Sequence, residues 1–247
     1  MKPLHFIANW KMHGRQSDVA PYLNSLALDS LAGGRTLTIC PPATLLSTFC
    51  AETAALPVQV GAQDCHPLPD GAHTGDIAAP MLRDLGASHV IIGHSERRAH
   101  HAEDDTLVQA KVQAAWEAGL SAILCIGESA TDRQEGRTLA FVTHQLAECL
   151  PKSINARHLI IAYEPVWAIG TGKVPKPGEI DSVHAAIKDS LTSRTGSDAT
   201  SIPVVYGGSV NPANANAIMS CASVDGCLVG GASLEGETFS EILRACA

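Results

Sequence analysis

No stretch of the 247-residue sequence approaches the roughly 18 uninterrupted apolar residues of a membrane-spanning helix. Positive charge is also scarce: 17 Lys and Arg stand against 25 Asp and Glu, a formal net charge of -8. That balance argues against a general binder of nucleic acid or anionic membranes, while leaving room for a local anion pocket. The eight cysteines are scattered, with no C-x-x-C pair and no Cys/His cluster at zinc-like spacing. No metal site is therefore expected, and the cysteines read as unpaired buried thiols in a reducing compartment. The start, "MKPLHFIANWKM", has too short an apolar part for a signal peptide, which gives a cytoplasmic expectation. No G-x-G-x-x-G follows the first apolar run, and neither a low-complexity segment nor a composition break divides the chain. The expectation is one domain over residues 1–247, against a doubly wound open sheet as the runner-up.

What the sequence does contain is a repeating alternation. Short runs rich in Val, Ile and Leu recur at 4–10, 36–40, 58–62, 89–93, 122–127, 158–163, 203–208 and 226–231. Their apolar residues are nearly continuous rather than alternating, as in strands buried on both faces. Helical spacing fills the intervals, most clearly over 17–32, 103–119 and 178–196, the last two ending at a glycine. Strand and helix in turn imply parallel strands joined by crossovers. Eight such units in this length fit an α/β fold of the (β/α)8 barrel type, in which chemistry sits at the C-terminal strand ends.

Reading those ends gives Asn9 and Lys11 after the first strand, and His94 with Glu96 after the fourth. Glu164 follows the sixth, Gly207, Gly208 and Ser209 the seventh, and Gly230 and Gly231 the eighth. Taken singly, each has an ordinary reading: a capping asparagine, a solvated lysine, a core histidine, a loop carboxylate, plain glycine turns. Their joint occurrence at the tips of one barrel is what points to a site. Glycine pairs after the last two strands, ahead of "Ala232-Ser233-Leu234", offer main-chain N–H groups to a phosphate, and oriented amides can do this locally on an acidic protein. "AYEPVWAIGTGKVPKPGEI" (162–180) follows Glu164 with a dozen residues that carry Pro, Gly and two exposed-looking apolar side chains. Connections of that length are commonly lids or binding loops.

The motifs "NWKM" (9–12), "GHSERR" (93–98), "CIGE" (125–128), "AYEPVWAIGTGK" (162–173), "YGGSV" (206–210) and "LVGGASL" (228–234) resemble, in order and spacing, those of the triosephosphate isomerase family. The resemblance covers essentially the whole chain. It implies interconversion of dihydroxyacetone phosphate and glyceraldehyde 3-phosphate through an enediolate, with no metal or organic cofactor. It implies Glu164 as the base, His94 as a neutral electrophile at a helix start, Lys11 as positive charge toward substrate, and Asn9 as an orienting group. Gly170, Ser209, Gly230 and Gly231 are implied to hold the phosphate, Glu96 to lie beside the site, and the segment from Pro165 to about Lys176 to act as a lid. The implied partner is a second copy of the chain, with neither nucleic acid nor membrane. Two rivals use the same barrel: a Schiff-base aldolase with Lys11 as nucleophile, and a silent phosphate-binding barrel.

Two departures from the family pattern stand out. Pro175 occupies a hinge position where relatives often have a small residue whose N–H meets the tyrosine of "YGGS"; proline has no N–H, so Tyr206 is expected to lose that contact. In "GAHTGDIA" (71–78), His73 and Asp76 stand where relatives often have phenylalanine and glutamate. That loop is implied to cross to the partner, with Thr74 steadying its site. Asp76 is about one methylene short for a cross-subunit pair with Arg97 or Arg98.

Overall fold

The computed structural model describes residues 3–169 and 173–245. Eight parallel strands close into a barrel in chain order: β1 (Leu4–Asn9), β2 (Arg35–Cys40), β3 (Gln59–Ala62), β4 (His89–Ile92), β5 (Ser121–Ile126), β6 (Leu159–Tyr163), β7 (Val204–Tyr206) and β8 (Gly226–Val229). Closure comes where β1 pairs with β8, His5 opposite Gly226 through Ala8 opposite Val229. Among the described residues ten α-helices surround it: α1 (Gln16–Ser25), α2 (Ala43–Glu52), α3 (Ala79–Asp84), α4 (Ser95–His101), α5 (Asp105–Glu117), α6 (Ala130–Gln134), α7 (Thr138–Cys149), α8 (Pro177–Thr195), α9 (Pro212–Met219) and α10 (Gly236–Ala245). Among the described residues no helix is long and apolar enough to cross a membrane.

The near-continuous apolar runs are explained by two cores. Ile7, Cys40, Ile91, Ile123, Cys125, Ile160, Ala162, Val205 and Leu228 fill the barrel interior. Their neighbours along each strand, such as Phe6, Leu37, Ile92, Leu124, Ile161 and Val229, face outward against the helices. Each strand alternates faces, and both faces are apolar.

The strands end earlier than the apolar runs suggest wherever a run closes in glycine. Gly93, at φ +70, and Gly208 and Gly230 past the ends of β7 and β8 lie beyond the strands, whereas Gly207 still donates its N–H to Tyr163 O at 2.7 Å. The helical pattern over 17–32 also breaks: α1 stops at Ser25, and Leu26 is extended. The Ala27 N–H donates instead to Ser240 Oγ on α10 at 2.8 Å, so a tertiary partner takes over from the helix. Helices α5 and α8 match their sequence patterns and end before Gly119 (φ +75) and Gly196 (φ +61).

Candidate active site

Strand parity carries two side chains into the mouth. Asn9 extends the inward-facing series of Ile7, and Glu164 that of Ile160 and Ala162. Both are buried. Pro165 ends β6 directly after Glu164, whose N–H is fixed to Ile126 O at 2.7 Å. Two glycines make space for it. A Cβ on Gly127 would run into the Glu164 carbonyl, and one on Gly207 would meet Glu164 Cγ at 2.8 Å.

His94 arrives by a different route. The turn at Gly93 places it as the N-cap of α4, where its Nδ1 accepts the Glu96 N–H at 3.2 Å. Nδ1 therefore carries no proton, and the ring N–H is on Nε2. Nε2 faces Glu164 Oε1 at 3.1 Å, and Glu164 Oε2 accepts the Ser95 N–H, also at 3.1 Å. Burial pushes the Glu164 carboxyl up, but His94, the Ser95 N–H and Lys11 outweigh it and hold the group below its ordinary range. For His94 burial favours the neutral ring, whereas the charge and hydrogen bond of Glu164 outweigh it and raise the imidazole pKa. The expectation of a neutral histidine thus meets an opposing neighbour that the sequence did not reveal.

Lys11 has φ +52, a left-handed backbone that L-residues other than Asn, Asp and Gly adopt reluctantly. Its N–H donates to Asn9 Oδ1 at 3.0 Å, and its carbonyl accepts Gln63 Nε2 at 2.9 Å. The ammonium pairs with Glu96 Oε1. Gly230 lets the lysine chain pass, since an added Cβ would lie 3.1 Å from Lys11 Cε. Glu96 therefore touches the site twice, through its backbone on His94 and its carboxylate on Lys11.

Asn9, Lys11, His94, Glu164, Ser209, Gly230 and Gly231 all line one cavity of about 330 Å³, with Ile169 and Leu228 on its apolar side. Gly170, expected at the phosphate, lies outside the described residues, as do 171 and 172 in the middle of the expected lid. The start of the expected lid is described. A short turn at Val166–Ala168 follows Pro165, with Val166 exposed. Trp167 Nε1 donates to Glu128 Oε1 at 2.8 Å, and Tyr163 Oη to Glu128 Oε2 at 3.0 Å. Arg133 lies over the Trp167 ring at 4.1 Å and pairs with Glu179 of α8 at 3.0 Å, so it joins the start of the expected lid to the helix that follows it.

Sequence reasoning gave no role to Glu128, Gly127 or the Ser95 amide, although "CIGE" contains the first two and "GHSERR" the third. Arg97 and Arg98, considered for a cross-subunit pair, have partners within the chain: Asp64 and Glu103 for Arg97, Asp105 for Arg98. Among the cysteines, Cys40, Cys50, Cys65, Cys125 and Cys149 carry free thiols.

A buried carboxylate beside an imidazole N–H, an ammonium, and a glycine-lined pocket form a constellation for abstracting a proton next to a carbonyl on a small phosphorylated molecule. Comparisons with known proteins agree. A family model described as triosephosphate isomerase matches residues 5–246. The chain is 48% identical over 237 residues to the triosephosphate isomerase of Xanthobacter flavus, covering 96% of this chain and 95% of that one. To that of Ruegeria sp. (strain TM1040) it is 51% identical over 239 residues, covering 97% and 96%. The crystal structure of triosephosphate isomerase from Bartonella henselae superposes with a TM-score of 0.91 at 42% identity, covering 99% of each chain.

Proposed function

The chain belongs to the triosephosphate isomerase family, and on that premise we propose that the cup at the barrel mouth runs the family's reaction with Glu164 as its base. The protein is an aldose–ketose isomerase that interconverts dihydroxyacetone phosphate and D-glyceraldehyde 3-phosphate, a step of glycolysis and gluconeogenesis. The reading of the site is supported above all by one observation: the His94 and Glu164 side chains meet at 3.1 Å in the same 330 Å³ cavity that Asn9, Lys11 and the glycine tips line.

Glu164 takes the proton from the carbon beside the carbonyl, the electron pair moves to the carbonyl oxygen, and an enediolate results. His94 donates its Nε2–H to that oxygen, Lys11 offsets the charge, and Asn9 orients the substrate. Protonated Glu164 then returns the proton to the neighbouring carbon, while the hydroxyl proton on the first carbon passes to the former carbonyl oxygen through the His94 ring, so that the carbonyl re-forms on the first carbon. When the carboxylate turns from the ring to the substrate, the largest influence raising the His94 pKa is weakened, and burial, Lys11 and the α4 N-terminus favour the neutral ring against the remaining pull of Glu96. Main-chain groups at Gly170, Ser209, Gly230 and Gly231 hold the phosphate, and the segment from Pro165 to about Lys176 closes over it. No metal or organic cofactor enters this scheme.

The Schiff-base alternative is disfavoured because Lys11 is paired with Glu96 as an ammonium, which cannot attack a carbonyl. A coupled turnover assay tests the proposal. Wild type turns over, Glu164→Ala does not, and borohydride with either triose phosphate traps no adduct. Undiminished isomerisation in Glu164→Ala, or a trapped Lys11 adduct, overturns it.

We further infer a homodimer, a cytoplasmic location and a single domain over residues 1–247. The exposed apolar side chains Met12, Met81 and Leu85 support the dimer. Free thiols support a reducing compartment, and the outer of the two cores, which draws on the chain from Phe6 to Leu243, supports the single domain. Sedimentation showing a fully active monomer would overturn the dimer.

A further inference from the structure

The turn that delivers His94 to the cup is held by a side chain that does not line the cup. Gly93 leaves β4 at φ +70, and its carbonyl accepts Arg98 Nε at 2.7 Å. The Arg98 N–H donates to the His94 carbonyl at 3.1 Å, so one residue binds the peptide oxygens on both sides of the histidine. An added Cβ on Gly93 would lie 2.9 Å from Arg98 Nη2 and 3.0 Å from Val108 Cγ1, which shows how closely the guanidinium sits against the turn. On its other side, Arg98 Nη2 reaches the Cys125 carbonyl of β5 at 3.4 Å. The next carbonyl of that strand, Ile126 O, accepts the Glu164 N–H at 2.7 Å. The guanidinium thus ties the turn bearing His94 to the strand end that anchors Glu164. Its own orientation is set by Asp105, the first residue of α5, and Cys149, the last of α7. Nη1 donates to Asp105 Oδ1 at 2.6 Å, Nη2 to Cys149 Sγ at 3.2 Å, and the thiol donates to Asp105 Oδ1 at 3.1 Å.

Resting on the reading of the cup given under the proposed function, we propose that Arg98 is a positioning residue for the isomerisation: it sets the alignment of His94 Nε2 with Glu164 and with the reacting carbonyl. A planar guanidinium suits this role because its donors leave in fixed, different directions: Nε to the β4 turn, Nη1 to α5, Nη2 to β5 and α7. An ammonium is a point charge that can pair with Asp105 but cannot hold the Gly93 carbonyl in the same geometry. The Arg98 side chain is 17% exposed, so these charge-assisted bonds are largely shielded from water and hold the turn stiffly. The competing explanation is an Arg98–Asp105 ion pair that only stabilises the fold. That explanation places the whole effect of a substitution on unfolding, whereas positioning places it on the chemical step.

Arg98→Lys keeps the charge and separates the two. The expected result is a fall in kcat of at least about tenfold with KM within about twofold of wild type, as for a reacting group displaced by a fraction of an ångström. The His94 ring, identified in histidine NMR spectra by its loss in His94→Gln, should titrate at lower pH in Arg98→Lys than in wild type, because the carboxylate that raises it is no longer aligned. Asp105→Asn should shift both readouts in the same direction by less, and it carries the test where Arg98→Lys does not fold. A folded variant with wild-type kcat and an unmoved His94 titration overturns the proposal, even if its thermal unfolding midpoint falls; so does a loss carried by KM alone. Glu164→Gln measured alongside distinguishes the two levels. Retained turnover there removes the base itself, whereas lost turnover there beside an unaltered Arg98→Lys removes only the role of Arg98.

Discussion

His94 Nε2 stands 3.1 Å from Glu164 Oε1, although β5 and its flanking helices separate the two in the chain. The carboxylate is thus held against the group proposed as its electrophilic counterpart, and the Ser95 N–H holds its other oxygen. Replacing Glu164 with Gln keeps the shape and removes the base. The expected loss in kcat is about 10²- to 10⁴-fold with KM little changed. The carboxyl is held below its ordinary value, so the wild-type acid limb should fall below pH 4.5 once substrate phosphate ionisation near about pH 6 is allowed for. Steady-state kinetics across pH check both; a limb assigned to Glu164 above pH 4.5 would contradict the arrangement.

Two buried histidines away from the site predict how stability depends on pH. Burial lowers His89, with help from nearby His5 and His158, and lowers His184, each to about 4 from an ordinary 6.5. A depressed folded value means that the unfolded chain takes the proton first. The stabilisation is complete above pH 6.5 and is lost as pH falls toward 4. Each ring is worth about 3 kcal/mol over that window. Urea unfolding between pH 7 and 4 should show the decline, and His89→Gln with His184→Gln together should flatten it. An unchanged slope in the double variant would mean that other groups carry the dependence.

Tyr206 illustrates a departure with a measurable consequence. Its ring is fully buried against Tyr163 and His184, and among the described residues its hydroxyl has no hydrogen-bond partner. With Pro175 at the far hinge there is no backbone N–H at that position for the hydroxyl to accept from. A hydrogen bond is worth about 0.5–1.5 kcal/mol net, so Tyr206→Phe should change kcat/KM by less than about tenfold. A much larger loss would show that the hydroxyl engages the closed flap after all.

What the sequence made legible was whatever follows from period and position. Eight apolar runs give eight strands, and a period of two carries Asn9 and Glu164 from the inner core to the mouth. His94 was legible only through its place after a strand, because its orientation depends on the positive φ at Gly93 and the cap it makes on α4. Glu128 was not legible as a partner of Trp167 and Tyr163. Its role arises where the β5 tip packs beside the β6 tip, which no local pattern encodes. The same holds for the His94–Glu164 contact, whose effect on both pKa values is purely tertiary. The end of α1 at Ser25 was misjudged for a similar reason: Ser240, remote in the chain, supplies the competing hydrogen-bond partner.

Gly207 turns that tertiary closeness into a direct test. Its N–H donates to Tyr163 O at 2.7 Å, which keeps the β7 tip against the β6 tip and leaves no gap to absorb a side chain. An added Cβ would sit 2.8 Å from Glu164 Cγ and 3.3 Å from the Tyr163 carbonyl. The carbonyl belongs to the ladder and cannot give way, whereas the Glu164 side chain can rotate. Gly207→Ala should therefore displace the carboxylate from both His94 and the Ser95 N–H rather than unfold the barrel. Because a misplacement of about 1 Å at a reacting group costs about 10²-fold, kcat should fall by roughly that factor. Binding of a non-reacting phosphate ligand should change less than kcat, since the Gly207 N–H is already given to Tyr163 O and is not among the groups proposed to hold the phosphate. Thermal unfolding and steady-state kinetics on the same preparation separate the alternatives. A stable Gly207→Ala variant with wild-type kcat would mean that Glu164 works from a position other than the one it occupies beside His94.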